Sequence, residues 1–135
     1  MDQPAMDVLG DRIVVLAQSE AGRFELVRVE TGPGRGPPPH HHPQEELFTC
    51  VQGAVEILQD GRWQRLAPGE RLLVRADALH SYRALVPDTV LEVLIVPGGQ
   101  VAMFAELDRD APRLAAEPAR IVAICERHGL RFGVG

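Results

Sequence analysis

From Arg12 to Val96 the hydrophobic positions come in short runs broken by Gly, Pro and Asp, the pattern of strands joined by turns. "RIVVLA" (12–17) and "FELVRVE" (24–30) are rich in β-branched residues and alternate in part. "ELFTCVQ" (46–52) and "AVEILQ" (54–59) flank Gly53. Asp60-Gly61 is a two-residue hairpin signal leading into "RWQRL" (62–66), and Pro68-Gly69 marks a further turn. "RLLVR" (71–75), "HSYRAL" (80–85) and "TVLEVLIV" (89–96) bring the total to about eight strands, spaced as in a sandwich or small barrel. After "PGG" (97–99) the period changes. "QVAMFAEL" (100–107) spaces its apolar residues as a short helix, with Met103 and Phe104 packing it over the strands. A second helix starts near Pro118 and runs through "ARIVAICERHG", closed by Gly129. Ile121, Ile124 and Cys125 face inward in it, and Arg120 and Glu126 outward.

Composition narrows the function. The 135 residues suffice for one domain with a genuine core. Net charge is −5 with no basic run, which argues against nucleic acid or an anionic membrane surface as partner. All 14 cationic side chains are arginine, so lysine nucleophiles and Schiff-base chemistry are excluded. The N-terminal "MDQPAMDVLGDR" lacks the apolar region of a signal peptide, and no apolar stretch is long enough for a membrane span. Cys50 and Cys125 match no zinc-ribbon or CxxC spacing and read as reduced residues of a cytoplasmic protein.

The segment "TGPGRGPPPHHHP" (31–43) is a loop by its Gly and Pro content, yet it holds three of the five histidines. In extended chain His40 and His42 point one way and His41 the other, and Glu46 and Phe48 share the parity of His40 if Pro43 does not break the count. Two imidazoles and a carboxylate on one face suit Fe, Mn, Co, Ni, Cu or Zn better than Ca or Mg. His80, opening a distant strand after a turn, is the remaining good ligand candidate. His128 ends the last helix, where a cation complements the dipole.

These residues resemble a known family. Gly34, five residues, His40, one residue, His42, three residues, Glu46, six residues and Gly53 reproduce the first cupin motif, and Gly69, ten residues and His80 match the second. Where the second motif has proline, glycine and asparagine, this chain has Arg75, Asp77 and Ala84; Asp77 tolerates the left-handed turn that the glycine takes. The resemblance implies an all-β cupin barrel (double-stranded β-helix, jelly-roll) over residues 8–97. A short C-terminal α-helical extension, 98–135, completes a single domain of 1–135. It implies one divalent transition-metal ion held by His40, His42, Glu46 and His80.

The function expected is that of a metal-dependent enzyme acting on a small enolic, aromatic or polyketide-like molecule, with dioxygenase-type oxidation placed first. A non-redox Lewis-acid isomerase, cyclase or dehydratase and a non-catalytic ligand-binding barrel are the alternatives. Glu46 and Tyr82 are the candidate catalytic groups, Tyr82 because it shares the parity of His80. Phe48 and Cys50 read as core lining, Glu92 as a solvated outward residue, and Arg75 and Arg83 as surface charges. A homodimer is expected, because "RIVVLA" presents an apolar strand edge.

Overall fold

A computed structural model describes residues 5–133; the first four residues of the N-terminal stretch read above and the last two of the chain lie outside it. Eleven strands and two helices follow one another: β1 (Met6–Val8), β2 (Asp11–Gln18), β3 (Glu25–Thr31), β4 (His40–His41), β5 (Glu45–Gln52), β6 (Val55–Gln59), β7 (Arg62–Leu66), β8 (Arg71–Val74), β9 (His80–Ala84), β10 (Thr89–Val96), α1 (Gln100–Leu114), α2 (Pro118–Arg127) and β11 (Arg131–Phe132). They form two antiparallel sheets, one ordered β1-β2-β3-β10-β5-β8 and the other β11-β4-β9-β6-β7, a jelly roll. The eight runs read from the sequence are strands within a residue or so at each end. Strands β1, β4 and β11 were missed, being only two or three residues long.

Alternation places the core. Ile13, Val27, Val29, Phe48, Cys50, Val55, Ile57, Val93 and Ile95 are buried, while their strand neighbours are half-buried or exposed. Pro43 does not break the count: His42, Gln44, Glu46, Phe48 and Cys50 are all buried in alternation. Gly53 turns β5 into β6 at φ +82°, and a Cβ there would lie 2.5 Å from the Thr89 hydroxyl oxygen and 3.0 Å from its Cα. Strain and clash act together, so Gly53→Ala lowers stability by about 2–3 kcal/mol. Urea unfolding of the two proteins checks this; a loss under half a kcal/mol would refute it.

Helix α1 is longer than its apolar pattern, continuing past Leu107 and through Pro112 to Leu114. Its N-terminus has no cap of its own. Instead the buried Glu25 of β3 accepts hydrogen bonds from the backbone N–H groups of Gln100 (2.9 Å) and Val101 (3.1 Å). A carboxylate at the positive end of the helix dipole fixes α1 to the strands. Gly129 ends α2 at φ +85°, as expected. The chain then returns as β11, which pairs Arg131 with His41 and Phe132 with His40. The edge on which the homodimer expectation rested is in part covered within the chain, since β1 pairs Met6–Val8 with Asp11–Ile13. No helix is long and apolar enough to cross a membrane among the described residues.

Candidate metal centre and its cavity

The two sheets each contribute to one cluster. His40 and His80 pair directly across β4 and β9. Glu46 stands on β5 of the other sheet, between Ile95 and Val74. His42 lies in the link from β4 to β5. The turn before β9 is tied to that link by the Asp77 N–H, which donates to the His42 carbonyl at 2.9 Å. Asp77 takes φ +61° there, the left-handed conformation expected of it. Strand β4 is only two residues long, but it is held on both sides, by β9 and by β11. The C-terminal return thus braces His40, and the Phe132 ring stands edge-on to it at 6.4 Å.

The donor set has one orientation. His40 Nδ1 meets the Pro38 carbonyl at 2.8 Å, His80 Nδ1 the Ala78 carbonyl at 2.8 Å and His42 Nδ1 the Gln44 carbonyl at 3.2 Å. A carbonyl only accepts, so each Nδ1 carries a proton and each ring turns its Nε2 inward. One ligand atom from each of the three histidines lies within 4.8 Å of the others. Glu46 Oε1 sits 3.0 Å from His42 Nε2 and 2.9 Å from His80 Nε2. Contacts that short between an Nε2 and a carboxylate oxygen require a cation between them, a proton or a metal. The three histidines, each anchored through its other nitrogen, are positioned to bind a metal ion.

Electrostatics agree. Burial, then the charge of His80, lower His40 from 6.5 to about 4, so His40 is neutral and free to bind at physiological pH. Burial pushes the Glu46 carboxyl up, but hydrogen bonds and charge from His42 and His80 outweigh it and hold it at about 2. Glu46 is therefore an anion.

The cluster opens on a cavity of about 90 Å³ between the sheets, bordered by His40, Glu46, Phe48 and Tyr82 and by apolar residues of β2, β3 and β10. The helices cover this cavity as well: Gln100, Met103, Phe104 and Leu107 of α1 and Cys125 of α2 line it. Phe48 lies edge-on to His80 at 6.4 Å and tilted against Tyr82 at 6.1 Å. The Tyr82 hydroxyl reaches the cavity wall but is already donated to Asp11 Oδ2, across the two sheets. Burial, followed by Asp11, keeps its phenol well above the ordinary value and hence protonated.

Other expectations resolve simply. Cys50 is fully buried, its thiol near the Gln52 and Gly53 carbonyls. Burial pushes the Cys125 thiol up to about 11, and His128 is paired with Glu106 at 2.9 Å instead. Glu92 is half-buried, opposite Arg28 and Thr49 on the face away from the cavity. Arg75 pairs with Asp60, and Arg83 pairs with Glu56 and lies 3.8 Å over the Trp63 ring.

Residues 27–97 match the family described as Cupin_2, cupin domain, which is more than half of the chain. The chain belongs to the cupin family. This cupin is 34% identical over 88 residues to quercetin 2,3-dioxygenase of Bacillus subtilis (strain 168), a match that takes in 64% of the chain but only 26% of that relative's length. It is similar to the structure of KdgF from Halomonas sp., with 28% identity, a TM-score of 0.65 and coverage of 70% of this chain and 86% of that one. An RmlC-like cupin from Shewanella frigidimarina shares the fold at 18% identity, with a TM-score of 0.66 and coverage of 74% and 88%.

Proposed function

We propose that this cupin is a metal-dependent oxidoreductase of the dioxygenase type, acting on a small enolic or phenolic molecule held between the sheets. The observation that carries the metal reading is the group of three buried imidazoles, each anchored through Nδ1, with Glu46 Oε1 against the Nε2 atoms of His42 and His80. His40, His42, Glu46 and His80 are the ligands in this reading. The dioxygenase choice draws support from the quercetin 2,3-dioxygenase likeness over the matched segment. A redox-active ion held by these residues would supply the electron-transfer chemistry by which an enolate reacts with dioxygen.

The chain's own groups have separate tasks. Glu46, an anion beside His42 and His80, takes the proton of an enolic hydroxyl that a bound ion would make acidic. Tyr82, protonated and fixed by Asp11, faces the substrate with its hydroxyl oxygen. Phe48 and the α1 residues Met103, Phe104 and Leu107 keep water from the substrate. Both oxygen atoms enter the product, so the four electrons that dioxygen takes up come from the substrate, and no external reductant is needed. The cavity of about 90 Å³ is smaller than the roughly 150 Å³ that admits benzene. A compact substrate is therefore favoured: a single-ring enol or phenol enters with a small yielding of α1, and a three-ring flavonol only with a large one.

Oxygen uptake by protein reconstituted with Fe, Mn, Co, Ni or Cu, over a panel of compact enols and phenols, tests the reading. Consumption of dioxygen with at least one ion and none in His80→Ala is expected. Cys125→Ser keeps turnover nearly unchanged, since its thiol is protonated and has no histidine partner. Product formed without oxygen uptake would replace this reading with Lewis-acid chemistry at the same site.

A further inference from the structure

Pro37, Pro38 and Pro39 lead into β4 with no backbone N–H among them. The run can therefore only accept hydrogen bonds, and each of its three carbonyls has a different donor. The buried Ser81 hydroxyl, on β9, donates to the Pro37 carbonyl. His40 Nδ1 donates to the Pro38 carbonyl at 2.8 Å. The Gly133 N–H, just past β11, donates to the Pro39 carbonyl at 2.8 Å. Gly36 starts the run close against β9, since a Cβ there would collide with the Tyr82 carbonyl oxygen.

The histidines of the cluster are not anchored alike. The carbonyl that holds His80 belongs to Ala78, whose own N–H closes a turn on Arg75. Pro38 has no N–H with which to fix its peptide unit, and its carbonyl is already given to His40. Stiffness takes the place of that bond. Each proline locks φ at about −65°, and a proline run is a semi-rigid spacer. A stiff run pinned at both ends holds its middle, and the two pins are the Ser81 hydroxyl and the Gly133 N–H. Gly133 lies outside the 27–97 segment that matches the family. It follows Phe132, whose ring stands beside His40.

We propose that the proline run is the mount of the His40 imidazole, and that Ser81 and Gly133 are positioning residues that act through it. By pinning the Pro37 and Pro39 carbonyls they fix the Pro38 carbonyl between them. That carbonyl keeps the His40 proton on Nδ1 and turns Nε2 towards the cluster. The C-terminal return thereby tunes metal affinity while supplying no ligand. This last step rests on the reading of His40 as a metal ligand, whereas the orientation of the ring belongs to the metal-free protein as well.

Long-range ¹H–¹⁵N spectra of the metal-free full chain at neutral pH read which nitrogen of each imidazole carries the proton. His40 should show the Nδ1–H tautomer alone in the unaltered protein. Ser81→Ala and Gly133→Pro each remove one pin. Each should give His40 a mixture of the two tautomers, while His42 keeps its own. Gly133→Ala is the control: its Cβ crowds Leu79 as the proline's would, but its N–H remains, so His40 should stay unchanged. Zinc titration should follow the tautomer, with affinity lowered about tenfold in Ser81→Ala and in Gly133→Pro and little changed in Gly133→Ala. An Nδ1–H tautomer that survives both Ser81→Ala and Gly133→Pro overturns the proposal. So does a mixture already present in the unaltered protein, zinc affinity that neither variant lowers, or a Gly133→Ala protein that behaves as Gly133→Pro. If Gly133→Pro does not fold, Ser81→Ala decides alone. Metal content separates the two readings. A protein whose tautomer shifts in the variants but which takes up no zinc in any form keeps the mount and loses the metal centre. One that binds zinc with an unmoved tautomer does the opposite.

Discussion

Purified without a histidine tag, His80→Ala protein retains almost no transition metal, whereas the unaltered protein carries about one ion per chain. His80 is the ligand candidate whose loss leaves the others least able to compensate. It comes from β9, while His40, His42 and Glu46 are confined to one short segment. Its ring is nearest to the other two, with centroids 4.3 Å from His40 and 4.8 Å from His42, and its Nε2 shares Glu46 Oε1 with His42. Removing it deletes one nitrogen and opens a space that the anchored rings, tied to carbonyls, cannot move to fill. Stability follows occupancy. An ion present at a thousandfold above its dissociation constant stabilises the folded state by about 4 kcal/mol, equivalent to a shift of roughly 10 °C in Tm for a chain of this size. Addition of a chelator should therefore lower the Tm of the unaltered protein by about that amount and leave His80→Ala unmoved. Full metal occupancy in the variant would mean that these four residues do not form the site.

How much of this was legible in the sequence depended on the range of the signal. Strand parity is local, and it placed His40, His42, Glu46 and Phe48 on one inward face across Pro43. The hairpin at Asp60-Gly61 and the cap at Gly129 are likewise written in adjacent residues. His80 stood out by elimination, as the remaining histidine opening a distant strand after a turn, and the spacing of the second cupin motif then matched it. Strands β4 and β11 were not legible, because two residues carry no period and their pairing spans most of the chain. That α1 lines the cavity was not legible either, because its docking depends on Glu25, a carboxylate in β3 whose partners lie 75 and 76 residues on.

Acidification of the metal-free protein should remove much of its stability between pH 6.5 and pH 4. The unfolded chain protonates His40 near 6.5, whereas the native state holds it neutral until about 4, chiefly because its ring is buried. In that window the unfolded state binds the extra proton, so stability falls as pH falls and is fully present only above 6.5. A difference of this size corresponds to about 3 kcal/mol, a large share of the 5–15 kcal/mol typical of a domain. Glu46 acts in the same direction at lower pH. Its carboxyl ordinarily protonates at 4.5 and is held here at about 2, so its contribution is present above 4.5 and disappears as pH drops toward 2. The two losses are not additive, because both depend on the shared contacts of His80. Urea unfolding of chelated protein at half-unit pH steps checks the prediction, with His40→Leu as the control. The variant lacks the His40 ring, and its stability should be flatter there than that of the unaltered chain. A metal-free unaltered protein equally stable at pH 7 and pH 4.5 would show that His40 is not held neutral by its surroundings, and with it the claim that His40 presents a bare nitrogen to the cluster would fall.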